Sequence, residues 1–420
     1  MLFFGAKKRP THFGPYPLER LTRDSGMRAR EEARGPGKAP VAGAAPTDTL
    51  GMAARKYIEL YIEFRDGKVA AEKAPVTDDL ARRSADVKGF VYFLDAAHVG
   101  IAKMNGSAWI PGDGRPPHSH AVVLLVEYGR DPEPGNRARD WCQAAGGETA
   151  DLRATEIAVG LASYVRLLGW SARAHVPVKS EVDLDRLAVL AGIAIRDRDG
   201  AVSSPYLGRR FSVAAVTTGY PMAADEPLDP RLPGATGFGY WLGAGGAISG
   251  LEWRRRERRP THTSRFPMEW VERVDRPTTL VVDDEVPRVS KRAAFFERAR
   301  YGDLGEKTKR EVRRFAYKSP TSLSVTRLIN ALVPHQDGPV AERDTSDLSD
   351  PEANARALKS LSYALGADLT GICQIPHYAW YSHKSDGTPI EPCHRYAVVM
   401  LIDQGYDTME GASGDDWISG

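Results

Sequence analysis

The strongest constraint on this 420-residue chain is a weak internal repeat. Residues 97–109 (AHVGIAKMNGSAW) match residues 368–380 (DLTGICQIPHYAW): Gly100, Ile101 and Trp109 recur as Gly371, Ile372 and Trp380, a spacing of 271 residues. Residues 118–127 (HSHAVVLLVE) match residues 394–403 (HRYAVVMLID) at a spacing of 276, so five extra residues fall in the loop between the two strands. At that second spacing Asp140-Trp141 also falls on Asp416-Trp417. Self-similarity of this kind predicts a duplicated structural unit. The first copy runs on to about Leu228, whereas the second stops three residues after Trp417, so by symmetry the second copy lacks on the order of 85 residues. Half a domain leaves an unpaired sheet edge and an uncovered apolar face. The expectation is therefore a truncated chain; the alternative is that the second set of strands joins the first domain's sheet.

Local patterns place elements around the repeat. Residues 24–48 mix Gly, Pro, Ala and charge without period and read as an exposed, mobile linker, with globular structure from about residue 52. Tyr57 to Phe64 alternate apolar and polar and end on Asp66-Gly67, which predicts a strand and a turn. Residues 78–95 have helical spacing through Leu80, Val87, Val91 and Leu94, and two strands follow, 99–104 and 120–128, the second apolar enough for a central strand. A further helix is predicted from Thr149, taken as its N-cap, to Gly169. Before the second copy, Asp350-Pro351-Glu352 reads as N-cap, N1 proline and acidic first turn of a helix that closes at Gly366.

Composition bounds the partners. With 57 basic and 55 acidic residues, no long-range field points to nucleic acid or an acidic membrane. The longest apolar runs fall well short of the roughly 20 residues of a membrane span. The start has neither an h-region nor a twin-arginine signal, and the expected compartment is the cytoplasm. Cys142, Cys373 and Cys393 lie far apart, which suits a reducing compartment and leaves too few thiolates for a cubane iron–sulfur cluster.

Several segments resemble reductive dehalogenases, in particular the cytoplasmic, respiration-independent (catabolic) group that carries an N-terminal copy of the cobalamin-binding domain which does not bind cobalamin. The opening KKRPTHFGPYPLERLTR resembles that group's N-terminus, and residues 295–322 (FFERARYGDLGEKTKREVRRFAYKSPTS) resemble its connection between copies. GADLTGICQIPHYAWYSH and RYAVVMLIDQGYD resemble the first strands of the working cobalamin domain. Residues 184–228 are similar to a glycine-rich stretch shared with epoxyqueuosine reductases, where small residues let backbone approach the corrin. Here that stretch reads AGIAIRDRDG, and Arg196, Asp197, Arg198 and Asp199 stand where small or neutral residues are expected, so the first copy reads as a scaffold.

The resemblance implies an α/β (α+β), nitroreductase-like cobalamin-domain fold with mixed sheets, one complete copy and one partial copy. The expected units are residues 1–51 (arm and linker), 52–250 (first, non-binding copy), 251–345 (connecting segment) and 346–420 (partial second copy). It implies cobalamin-dependent reductive removal of halide from an organohalide, most simply an aromatic one, by a longer oxidoreductase, the 420 residues alone being inactive. It also implies two cubane (4Fe–4S) clusters, a reductase electron donor, and a tyrosine proton donor assisted by basic residues. Clusters and tyrosine would lie beyond Gly420, so no catalytic residue and no metal ligand is assigned here. The alternatives are a non-catalytic scaffold paralogue and an epoxyqueuosine reductase or nitroreductase-like oxidoreductase.

Local constellations are weighed against packing roles. Trp380 and Tyr381, after the second copy's first strand, are the candidate substrate-pocket residues, since halogenated aromatics need flat apolar walls; Trp109 at the matching place allows a packing role instead. His118 and His120 form an HxH without a carboxylate or cysteine companion, and read as loop-end polar residues. Cys393-His394, with His377 and His383 upstream, could be a metal group or a nucleophile pair, but His394 aligns with His118 and reads as structural. Cys373 reads as a small buried hydrophobe, and Tyr164 as a packing residue. The glycines of residues 237–250 lack the lysine ending of a phosphate loop, and the arginines at 254–256, 258 and 259 read as a solvated run.

Overall fold

The computed structural model describes residues 21–40, 49–231 and 285–402, apart from positions 113, 130, 206, 315–319, 341, 343–347 and 368, together with a few positions between 274 and 282. The opening motif up to Arg20, the glycine-rich and arginine-rich stretches of 237–259 and the Asp416-Trp417 match lie outside the described residues.

In chain order the helices are α1 (Gly26–Glu32), α2 (Thr49–Ile62), α3 (Leu80–Phe93), α4 (Arg139–Ala144), α5 (Gly146–Leu167), α6 (Leu184–Leu190), α7 (Phe295–Tyr301), α8 (Glu306–Glu311), α9 (Pro320–Leu332) and α10 (Pro351–Ala364). The strands are β1 (His98–Lys103), β2 (His120–Glu127), β3 (Ala172–His175), β4 (Ile195–Arg196), β5 (Val202–Ser203), β6 (Phe211–Thr218), β7 (Leu369–Gln374) and β8 (Tyr396–Leu401). The main sheet has the order β1-β2-β6-β3. All its pairs are antiparallel, which corrects the expected mixed sheet. β2 is central, and its apolar run is explained by burial on both faces. Val122, Leu124 and Val126 face the core beneath α3 and α5. Ala121, Val123 and Leu125 face the second core, beneath α6.

The second hairpin does not join this sheet; β7 and β8 form their own two-stranded sheet. Its geometry repeats that of β1 and β2. Gly100 pairs with Val123 and Gly371 with Val399; His98 pairs with Leu125 and Leu369 with Leu401. The preceding helices begin and end at matching positions, α3 on Asp79, whose carboxylate caps Ala81 and Arg82, and α10 on Asp350, which caps Ala353. Both chains then pass through the left-handed region, at Asp95 (φ 73°) and Gly366 (φ 101°). A short 3-10 turn follows each first strand, Gly106–Ala108 and His377–Ala379. The correspondence reaches further back, since α2 and α9 also begin 271 residues apart, at Thr49 and Pro320.

Three local expectations are corrected. Residues 57–62 belong to α2, with Ala54, Ile58 and Tyr61 buried at helical spacing. Residues 24–40 are packed against the body: α1 lies there, Glu31 is 2% exposed and Met27 is buried. α5 opens at Gly146, and the Thr149 hydroxyl donates to the Ala145 carbonyl inside the helix instead of capping it. Gly169 ends α5 as expected, with φ 94°.

Candidate functional site

Trp380 and Tyr381 stand where the turn after β7 leads into an extended loop, Trp380 partly buried and Tyr381 exposed. The Trp380 ring lies 6.3 Å from that of His394, tilted by 32°. The next residues form a small hairpin. Lys384 N donates to Thr388 O (2.8 Å), Ile390 N to Ser382 O (3.0 Å), and Thr388 N to the Asp386 carboxylate (2.9 Å). Gly387 occupies the left-handed position its turn requires (φ 89°). The hydrogen bonds from Thr388 hold the Asp386 carboxyl below its ordinary range. The dipeptide Asp386-Gly387 is a hairpin signal that was legible in the sequence.

The matching place in the first unit is built differently. Trp109 is 6% exposed, its ring edge-on to His175 at 5.9 Å. Its backbone neighbours are tied to the strand ahead of α6: Ile110 N donates to Glu181 O and Asp183 N to Ala108 O, both at 2.9 Å. Beneath it runs a chain of polar groups. Glu181 N donates to His175 Nδ1 (3.3 Å), which makes His175 Nε2 the donor to Thr217 Oγ1 (2.9 Å). The Thr217 hydroxyl then donates to His118 Nδ1 (2.8 Å), leaving His118 Nε2 to donate to Ser171 Oγ (3.1 Å). Burial lowers His118 to about 4 and His175 to about 3, with Arg173 adding to the effect at His118, so both rings are neutral. His120 hydrogen-bonds Ser119 and is likewise lowered by burial. Structural satisfaction, not metal binding, describes these histidines. Tyr164 packs at 4.9 Å from the Phe90 ring, and burial raises its phenol.

The second unit does not assemble its cysteines and histidines. His377 lies against Tyr378, His383 bonds Ser382, and Cys393 is exposed. Cys373 is also exposed, which corrects the buried reading. Its twin Ala102 is fully buried beneath α6, and among the described residues nothing equivalent to α6 covers Cys373. The same contrast holds at the glycines. A β-carbon at Gly100 would lie 2.1 Å from the Ala191 carbonyl oxygen, whereas one at Gly371 would meet nothing within 4 Å. The exposed side chains of β8, Val398, Val399, Met400 and Leu401, belong to the same uncovered hairpin.

The turn of residues 191–200 (AGIAIRDRDG) is closed by the chain itself. Arg196 makes a two-pronged pair with the Glu31 carboxylate, both contacts 2.9 Å. Asp197 and Asp199 are held by Arg209. Arg23 donates to Gly192 O (2.8 Å) and Glu226 O (2.9 Å), and Lys38 N to the Asp183 carboxylate (3.1 Å). Glu31 carried no signal in the sequence, because its partner lies 165 positions away. These contacts leave the turn covered by charged side chains of the same chain. Among the described residues no three His, Cys, Asp or Glu gather as a metal group. Cys142 is buried and Cys373 and Cys393 are exposed, and the three do not gather as ligands of an iron–sulfur cluster.

No family model and no curated protein matches the chain. Among the solved structures that resemble it over almost its whole length are reductive dehalogenases. Catabolic reductive dehalogenase NpRdhA in complex with 3-bromo-4-hydroxybenzoic acid is 45% identical, with a TM-score of 0.86 over 99% of this chain and 59% of that one. A reductive dehalogenase structure reported with a mechanism for B12-dependent dehalogenation aligns at 45% identity and TM-score 0.87, covering 99% and 60%. The chain thus spans about three-fifths of these relatives. An epoxyqueuosine reductase from Bacillus subtilis reaches 10% identity and a TM-score of 0.26, a likeness that carries no weight. No described helix is long and apolar enough to cross a membrane.

Proposed function

We propose that these residues form part of a cobalamin-dependent reductive dehalogenase that removes halide from an aromatic organohalide. The observation that carries this reading is 45% identity along 99% of the chain to a dehalogenase with 3-bromo-4-hydroxybenzoic acid bound. On this reading the parent is a cytoplasmic oxidoreductase holding cobalamin and two cubane clusters, and it receives electrons from a reductase. The chain itself is a duplication. Twin helix caps, twin turns and one strand register at the spacing of the sequence repeat support that origin. The matching starts of α2 and α9 favour placing the beginning of the second unit within the supposed connecting segment, by about residue 285.

The two units then divide the work. The first is a scaffold whose corrin-facing turn is closed by the Glu31–Arg196 pair. The second contributes the pocket wall of Trp380 and Tyr381, and further segments of the parent protein cover β8 and the open face at Gly371. Cobalamin titration tests this division. The 420-residue chain should show no stoichiometric uptake, while a longer protein containing it should take up one equivalent and release halide from a bromohydroxybenzoate under reducing conditions. Tight cobalamin uptake by the chain alone, or flavin uptake in place of cobalamin, would refute it.

A further inference from the structure

The loop that carries Trp380 and Tyr381 is not held by its own unit's strands. The corresponding loop of the first unit has ten residues between Trp109 and His120; here fifteen lie between Trp380 and Tyr396, and this longer loop contains the hairpin of residues 382–390. An isolated two-stranded hairpin is marginal in water. Two backbone hydrogen bonds fasten it to residues 289–291, which lead into a short 3-10 turn: Ser382 N donates to Val289 O (2.8 Å), and Lys291 N to His383 O (2.9 Å). Just ahead of this segment the Arg288 guanidinium donates to Tyr381 O (2.7 Å), to Ile390 O and, more distantly, to Trp380 O (3.4 Å).

Consecutive carbonyls of an extended chain point to opposite sides. Trp380 O and Tyr381 O nevertheless meet one guanidinium, which restrains the two peptide planes on either side of the Tyr381 α-carbon and so the direction in which that side chain leaves the backbone. The planar guanidinium fork suits several carbonyls at once, which the compact ammonium of lysine does not. The chain uses the same device elsewhere on irregular backbone: Arg166 donates to the carbonyls of Phe64, Arg65 and Ala172.

We infer that Arg288 is a positioning residue for the Trp380–Tyr381 loop, so that residues 288–291 belong to the substrate-binding unit. The inference rests on the proposed role of Trp380 and Tyr381 in substrate binding. Its test has two arms. By hydrogen exchange of the 420-residue chain, Arg288→Ala should speed exchange in residues 380–390 by about tenfold or more while α5 and the β7–β8 amides are unchanged, and Arg288→Lys should not restore it. Unchanged exchange in the loop overturns the clamp. In the longer protein, Arg288→Ala should raise KM for an aromatic organohalide by about tenfold with a smaller effect on kcat. If Trp380→Ala raises KM and Arg288→Ala does not, the positioning role is wrong and the pocket stands. If Trp380→Ala leaves KM unchanged while Arg288→Ala still loosens the loop, the pocket assignment fails and the clamp stands.

Discussion

The twin glycines allow one methyl group to be placed at matching positions with opposite consequences. In Gly100→Ala the new β-carbon starts 2.1 Å from the Ala191 carbonyl oxygen and 2.8 Å from Ile193 Cγ2, against an ordinary contact of 3.4 to 4 Å. The obstacle is backbone, held by Ala191 N→Leu187 O (2.8 Å) and Ile193 N→Ala188 O (3.2 Å), so α6 and its turn must shift by more than an ångström. Overpacking of this kind costs about 1–3 kcal/mol. Replacing glycine inside a strand returns roughly 0.5–1 kcal/mol. The net loss at Gly100 is then about 1–2 kcal/mol, and at Gly371, with open space around it, a gain of roughly 0.5 kcal/mol remains. At ~2–4 °C per kcal/mol, Gly100→Ala should lower the melting temperature by several degrees and Gly371→Ala should leave it level or slightly raised. Differential scanning calorimetry of both variants decides the matter. Equal losses at the two sites would mean that Gly371 is already covered, and the asymmetry between units would be wrong. In the longer protein Gly371→Ala should become destabilising, because a turn equivalent to residues 191–193 would then lie against it.

Three further outcomes follow from the same geometry. Glu31→Ala leaves the Arg196 guanidinium, 12% exposed, without its carboxylate, and should cost about 3–5 kcal/mol in urea unfolding; Arg196→Ala in the same background should recover part of it, and additive losses would argue against a coupled pair. His175 has a folded pKa near 3, below its ordinary 6.5, so the unfolded chain binds a proton first as pH falls. Its contribution is complete above about pH 6.5 and declines toward pH 3 by up to about 1.4 kcal/mol per pH unit; urea midpoints for the native chain should therefore fall more steeply below pH 6.5 than those of His175→Gln, and parallel curves would contradict the linkage. Asp79→Ala removes the cap on Ala81 and Arg82 and should cost about 1 kcal/mol, as should Asp350→Ala at the twin position, both read by thermal unfolding.

What could be read from the sequence was what short-range chemistry writes into it. The capping aspartate of α10, the αL exit at Gly366 and the doubly buried run of β2 are local signals, and the repeat aligned the two hairpins residue for residue. The failures have physical causes. In residues 57–64 the apolar positions satisfy a period of two as well as one of 3.6; the buried set of Ala54, Ile58 and Tyr61, fixed by contact with α5, decides for helix. The arm of residues 24–40 has a linker's composition yet is fastened by Arg23, Glu31 and Lys38 to partners more than 140 positions away, which no window can see. Within the candidate site, Trp380 and Tyr381 were visible through the repeat and the Asp386-Gly387 turn could have been. Arg288 was not, because its partners are main-chain carbonyls some 90 to 100 residues downstream, and a carbonyl leaves no mark on composition.

Helix α5 bears on how this chain can be taken apart. It packs against α2 of its own unit, and α9, the twin of α2, lies on it as well. A β-carbon at Gly160 would sit 3.5 Å from Leu328 Cδ1, and Leu328 is 4% exposed. Helix α9 therefore shares the core beneath α3 and α5, and burying Leu328 there is worth about 1.5–3 kcal/mol. A cut in the intervening chain would not yield two independent modules: residues 21–231 alone would present a raw apolar groove along α5, and the remainder would lose its anchor. Anyone dissecting this protein, or exchanging one half for that of a relative, must carry α9 with the first half or redesign the face of α5 that receives it.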